Sequence, residues 1–364
     1  MSNKYLWRTN QLISIIPEEY DGALIMSEIN GKYFTGFNCD NGYFIVTRNG
    51  CVFVTDSRYT EAASKAVGWC DVVEYSGPKM KEVFGGISER LGIKRILVES
   101  DRMTLNEYHM MSEVLSPAVL DADGGLHRLI ESLRVHKDSD EIACMKAAQN
   151  IAEQTLQHVY GMIREGVTEA DLAFEFEFYA RRLGAERLAF DSIVASGENG
   201  SMPHAVPGQR RIQSGDFITF DVGCVVGGYH SDMSRTVAYG NICDEQRRIY
   251  DIVLRAQQNA MNYLFDGGDD LAECDAAARD IIKAEGYGEY FGHGTGHGVG
   301  LEIHEFPSVS YMGGKVPENS VITVEPGIYL PGKFGVRIED MLFKTADGAV
   351  DLTGMDRELL ILGE

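Results

Sequence analysis

Phe220-Asp221-Val222-Gly223-Cys224-Val225-Val226-Gly227-Gly228-Tyr229-His230-Ser231-Asp232 reads as a β-hairpin that carries two acids. Its arms, 216–223 and 229–237, are apolar and β-branched, and Gly227-Gly228 supplies a turn tolerant of positive φ. With the hairpin centred between Val226 and Gly227, Asp221 and Asp232 stand equally far from the centre and are expected to face each other across the ladder. Like charges opposed in this way destabilise a sheet. Either the pair is solvated or a cation lies between the carboxylates, and the apolar neighbours Ile218, Phe220 and Val222 favour the cation.

A second hairpin repeats the device. Arms at 321–330 and 334–343 flank Pro331-Gly332-Lys333, and with Gly332 at the centre Glu325 is expected opposite Glu339. Pro326 weakens regular pairing inside one arm. Four buried carboxylates without counter-charge would cost many kcal/mol. Between the hairpins lies Phe291-Gly292-His293-Gly294-Thr295-Gly296-His297-Gly298-Val299-Gly300. Its glycines exclude a stable helix and leave an open strand or loop, on which His293 and His297 share a face by period two. No Gly-Lys-Ser/Thr follows, and the context of a dinucleotide-binding turn is missing. Four carboxylates and an imidazole form a hard, oxygen-rich ligand set, large enough for two divalent ions. Manganese suits it best, with cobalt or zinc as alternatives.

Size and charge set the background. At 364 residues the chain has room for about two domains, and 44% hydrophobic with 24% charged residues is ordinary for a soluble globular protein. Thirty-three basic against 55 acidic residues leave a net charge of −22, which argues against nucleic acid and anionic membrane surfaces as partners. The first sixteen residues hold no signal-peptide core, and no apolar run reaches membrane-spanning length. Seven scattered cysteines without a Cys-x-x-Cys pair fit a reducing cytoplasm, most of them as small buried hydrophobes.

Along the chain, residues 1–130 alternate strands and helices as a mixed α/β domain. Strands are expected at 23–26, at 43–47 with 51–55 as a hairpin, and at 95–99. Helices are expected from an Asp56-Ser57 N-cap through Ala66, and near 78–90 and 104–115. Residues 131–364 form the second domain. Asp138 with Glu141, and Thr168 with Asp171, have the form of helix-opening capping boxes, with helices to about 162 and 183. Further helices are expected at 244–264 and 271–285. Helices precede a sheet twice here, which hints at an internal architectural duplication.

Five ordered motifs carry a resemblance. Phe220-Asp221-Val222-Gly223, Ser231-Asp232-Met233-Ser234-Arg235-Thr236, His293-Gly294-Thr295-Gly296-His297, Val324-Glu325-Pro326-Gly327 and Gly335-Val336-Arg337-Ile338-Glu339-Asp340 are similar to the pita-bread metallopeptidases, specifically their proline-peptidase branch of Xaa-Pro dipeptidases (prolidases) and aminopeptidase P. Tyr33-Phe34-Thr35-Gly36-Phe37 and Thr55-Asp56-Ser57-Arg58-Tyr59 resemble that branch's amino-terminal domain. The resemblance implies an α+β pita-bread (creatinase/aminopeptidase) catalytic domain behind a smaller α/β domain. It implies Asp221, Asp232, His297, Glu325 and Glu339 as metal ligands, with Asp232 and Glu339 bridging two ions. His204 and His304 would line the substrate site and handle protons with Glu325. His293 and Arg337 would be further substrate-pocket groups. It also implies small peptides with proline second as substrates, and a homodimer.

Other residues have plainer readings. His109, His127, His158 and His230 read as structural, Cys224 as a buried thiol, and Phe174, Phe176 and Phe178 as packing. Among functions, a methionine aminopeptidase, a metal-free creatinase-type hydrolase and a non-catalytic binding module share the fold. The amino-terminal domain argues against the first, and the complete ligand set against the other two.

Overall fold

The computed structural model describes residues 4–363, which divide into two compact units, one ending at Arg134 and one beginning at Val135. In the first, a six-stranded mixed sheet runs in the spatial order Asp71–Glu74, Gly50–Thr55, Gly42–Thr47, Gly22–Ile25, Arg95–Val98, Val119–Asp121. The helices Met80–Leu91 and Leu105–Val114 help enclose a core of Leu24, Ile45, Val52, Phe84, Ile96 and Met111. Thr104 and Glu107 close a capping box on the second of these helices. The helix expected from Asp56-Ser57 begins only at Thr60 and has Tyr59 as its N-cap. Asp56 is drawn away, because its carboxylate accepts from the Arg58 amide and guanidinium and from Asn41.

In the second unit the Asp138/Glu141 and Thr168/Asp171 capping boxes form as read and open the helices Ser139–Tyr160 and Glu169–Arg182. These pack with Ile218, Phe220, Val222 and Val237 into one core. The helices Asp244–Phe265 and Leu271–Ala284 make another with Ile322, Val324, Ile328, Val336 and Ile338. Each core therefore pairs two helices with one acid-bearing sheet region. A four-stranded sheet holds Ile361–Leu362, Met233–Tyr239, Asp216–Val222 and Ile193–Ser196 in that order. A five-stranded sheet holds Glu305–Val309, Gly296–Gly298, Val321–Val324, Asp340–Thr345 and Gly348–Asp351.

Two packing expectations change. Phe176 is buried, but Phe174 and Phe178 are 72% and 59% exposed. Residues two apart lie on nearly opposite faces of a helix, so three aromatics spaced by two cannot share one buried stripe. Of the seven cysteines only Cys39, Cys224 and Cys274 are buried. No described helix is long and apolar enough to cross a membrane.

Candidate active site

The acids reach their positions through strand register. Val226 pairs with Tyr229 and Val225 with His230, so the turn is the two-residue Gly227-Gly228 loop, with φ of 61° and 87°. That places the hairpin centre one position later than expected, and Asp221 faces Ser234, not Asp232. The correction is a shift of two residues on one arm. Such a shift preserves side-chain parity, so Asp232 becomes a diagonal neighbour of Asp221 on the same face. The second hairpin has the expected register but is interrupted. Val324 pairs with Asp340 in the five-stranded sheet and Gly327 with Arg337 in a separate two-stranded ladder. Glu325-Pro326 and Ile338-Glu339 fall between the two ladders, outside any strand. Proline cannot donate to a ladder, and the break occurs beside it.

Asp232, His297 and Glu339 each offer a ligand atom within 4.8 Å of one another. His297 Nδ1 donates to the Gly298 carbonyl at 3.0 Å, which leaves the lone pair of Nε2 to face Glu325 Oε1 at 3.4 Å and Asp232 Oδ2 at 3.5 Å. Acceptors thus converge on one point, and protons or cations must lie between them. Burial, then the charges of Asp221 and Glu325, push the Asp232 carboxyl up. Burial and the charge of Asp221 raise Glu325 to about 8 against the pull of Arg337. Burial, followed by Asp232, Glu325 and Asp221, raises Glu339. Burial lowers His297 to about 4, so its imidazole is neutral and able to ligate. Asp221 Oδ1 and Glu339 Oε1 are buried without a hydrogen-bond partner among the described residues. These orphaned oxygens and the mixed carboxylate–imidazole donor set fit divalent cations.

A hydrogen-bond chain fixes the remaining polar groups. Arg337 donates to Asp221 Oδ2 at 2.7 Å, to the Ser234 hydroxyl at 2.8 Å and to the Tyr329 hydroxyl at 2.9 Å. Ser234 in turn donates to Glu339 Oε2 at 2.8 Å. Because Tyr329 accepts from Arg337, its own proton goes to His293 Nε2, 2.9 Å away, and His293 Nδ1 donates to the Gly294 carbonyl. Both nitrogens of His293 are therefore committed to protein partners, which suits it to positioning the Tyr329–Arg337–Asp221 chain. Asp275 is a further anchor. It accepts from the Thr295 amide and hydroxyl and from Arg279, while Arg279 also donates to the carbonyls of Phe291 and His293. Sequence reading missed Ser234, Tyr329 and Asp275. Ser234 and Tyr329 were accessible in principle, since period two places them on the faces of Asp232 and Glu325, but Asp275 sits on a helix twenty residues before Thr295.

His204 and His304 line the same cavity as Asp221, Asp232, Glu325 and Glu339, and it has a volume of about 560 Å³. The His304 ring stands edge-on to His297 at 4.3 Å between centroids. Phe190, Ile193, Val206 and Ile303 supply apolar walls. His230 is not among the residues that line this cavity. It is buried, its Nδ1 donates to the Gly300 carbonyl, and burial lowers it to about 4.

Residues 143–346 match the profile of metallopeptidase family M24, and residues 14–136 match the creatinase/prolidase N-terminal domain. The chain is 36% identical to a Xaa-Pro dipeptidase of Pyrococcus furiosus over 97% of its own length and 99% of that protein. A solved Xaa-Pro dipeptidase from Bacillus anthracis superposes with a TM-score of 0.93 at 38% identity, covering 98% of this chain and 100% of that one. An X-Pro aminopeptidase from Thermotoga maritima gives 0.90 at 34% identity, with coverage of 98% and 100%. The α+β reading, with a pita-bread catalytic domain behind a smaller domain, is borne out. The chain belongs to metallopeptidase family M24, with a creatinase/prolidase-type domain preceding its catalytic domain.

Proposed function

We propose that this protein is a proline-specific metallopeptidase that hydrolyses the Xaa-Pro bond at the amino terminus of dipeptides or short peptides. The observation that carries the reading is the convergence of Asp232, His297 and Glu339 on one point of a cavity also lined by Asp221 and Glu325. Asp221, Asp232, His297, Glu325 and Glu339 would hold the divalent metal, manganese first, and five such groups would suffice for two ions. When bound, the ions would acidify a water and polarise the scissile carbonyl. Glu325 would accept the proton of the attacking water and return it to the departing proline nitrogen. His204 and His304 would donate hydrogen bonds to the oxyanion as it develops. Arg337 and Tyr329 would hold Asp221 in place, and the apolar walls would take the residue before proline.

A cleavage panel with manganese, read by mass spectrometry, tests this. Xaa-Pro peptides are expected to be cut and Met-Xaa peptides spared, and the reverse preference would favour a methionine aminopeptidase. Dipeptides against longer peptides separates the dipeptidase and aminopeptidase P forms. Asp221→Asn is expected to abolish turnover without unfolding the chain. Retained turnover, or less than one tightly held divalent ion per chain with no activation by manganese, would overturn the assignment. The proposal includes a homodimeric, cytoplasmic enzyme, in keeping with the charge and cysteine usage.

A further inference from the structure

The first unit brings two cysteines together at the edge of its sheet. Strand Gly50–Thr55 pairs in parallel with the edge strand Asp71–Glu74, with Val52 opposite Asp71. One residue back along this register, Cys51 stands opposite Cys70, which lies in the bend that leads into the edge strand. Adjacent strands lie roughly 4.8 Å apart, inside the roughly 4.4–6.8 Å Cα separation that a disulfide spans. Both side chains are half-buried, so a small reagent can reach them. The chain between them, which includes helix Thr60–Ala66, returns to its starting strand and closes a loop of about twenty residues.

We infer that Cys51 and Cys70 form a reversible intramolecular disulfide, which makes this sheet edge a thiol-oxidation site whose oxidant is a small disulfide such as oxidised glutathione. The two sulfurs have different roles. The Cys70 thiol donates to the Asp71 carbonyl at 3.6 Å and so keeps its proton, while contact with Cys70 holds the Cys51 thiol below its ordinary value despite burial, and the same contact and burial push Cys70 up. Cys51 is therefore the attacking group. Its thiolate displaces one thiolate from the reagent and leaves a mixed disulfide on Cys51. Cys70 then gives up its proton and attacks the Cys51 sulfur, releasing the second small thiolate. Two electrons pass to the reagent, which leaves as two thiols carrying the two protons. The bond formed ties the edge strand to its only neighbour in the sheet.

The test uses the full chain, treated anaerobically with oxidised glutathione, quenched in acid, alkylated and peptide-mapped. The expected product is a Cys51–Cys70 cross-linked peptide lighter by two hydrogens, reversed by dithiothreitol. The exposed Cys243 serves as an internal control for reactivity. Oxidised wild type is expected to melt higher than reduced, with no such shift in Cys51→Ser or Cys70→Ser. Cys70→Ser is expected to keep a stable glutathione adduct on Cys51. A stable adduct on Cys51 or Cys70 in the wild type would overturn the inference, as would cross-links to other cysteines, or free Cys51 and Cys70 under conditions that modify Cys243.

Discussion

Asp275→Ala tests whether the glycine-rich segment is held from outside the proposed metal-binding groups. Asp275 is 2% exposed, and its Oδ1 accepts from the Thr295 amide at 3.1 Å, the Thr295 hydroxyl at 2.7 Å and Arg279 at 2.9 Å. Its Oδ2 accepts from Arg279 Nε at 2.7 Å. Truncation removes the acceptor for both Thr295 donors, at about 1–3 kcal/mol each, and takes the charge partner from Arg279. The expected loss is about 3–5 kcal/mol, the range for breaking a buried pair. For a unit of this size that lowers Tm by about 6–20 °C. Asp275→Asn keeps an acceptor for Thr295 but turns an amide toward Arg279, and should cost about 1–3 kcal/mol. Burial pushes the Asp275 carboxyl up, but hydrogen bonds from Arg279 and Thr295 outweigh it and hold the group below its ordinary range. An acid depressed in the folded state contributes stability above its unfolded pKa of about 3.9, and loses it as pH falls through the folded value. The gap between wild type and variant should therefore narrow in strong acid. Thermal melts of metal-free protein across pH, with manganese titrated calorimetrically, provide the assay. Affinity should fall about 10–100-fold, as for the loss of a group that orients a ligand. A variant that melts within about 1 kcal/mol of wild type and binds manganese equally well refutes the reasoning.

Lys137 and Glu305 form an ion pair at 3.2 Å with side chains 1% and 8% exposed. Lys137→Met is expected to cost about 3–5 kcal/mol in urea denaturation, and Lys137→Met with Glu305→Gln less than the sum of the two single losses; additive losses would show that the pair does not couple. Gly296 has no room for a side chain, since a Cβ there would meet the Thr323 carbonyl oxygen at 2.0 Å. Gly296→Ala should lose at least about 3 kcal/mol or fail to fold, whereas Gly292→Ala, with nothing within 4 Å, should cost no more than about 1 kcal/mol by the same melt.

Much of the site was legible because period two is a strong constraint. Asp221 and Asp232 lie on one face of the first hairpin at either register, so an error in the turn centre displaced the pairing without dispersing the carboxylates. The helix-opening pairs at 138/141 and 168/171 were legible for a local reason, as each capping box closes within four residues. What escaped depends on contacts distant in sequence. Asp275 reaches Thr295 across twenty residues, and Cys51 meets Cys70 only through a parallel strand pairing. Asp56 looked like a cap until Asn41 and Arg58 competed for its carboxylate.

The interrupted second hairpin has a consequence for how the protein tolerates change. Its two ladders, one on each side of Glu325 and Glu339, obey a single alignment although they belong to different sheets. A slip of one residue in either would have to be matched by the other, so each checks the other's count. Single-residue insertions at the Pro331-Gly332-Lys333 turn should thus be absorbed as a local bulge, and single deletions as a tighter turn, leaving the glutamates aligned. The gap itself frees two acids from ladder geometry while both ends of each acid-bearing segment stay fixed. The hairpin works as a ruler whose one unmarked interval is where the chemistry sits.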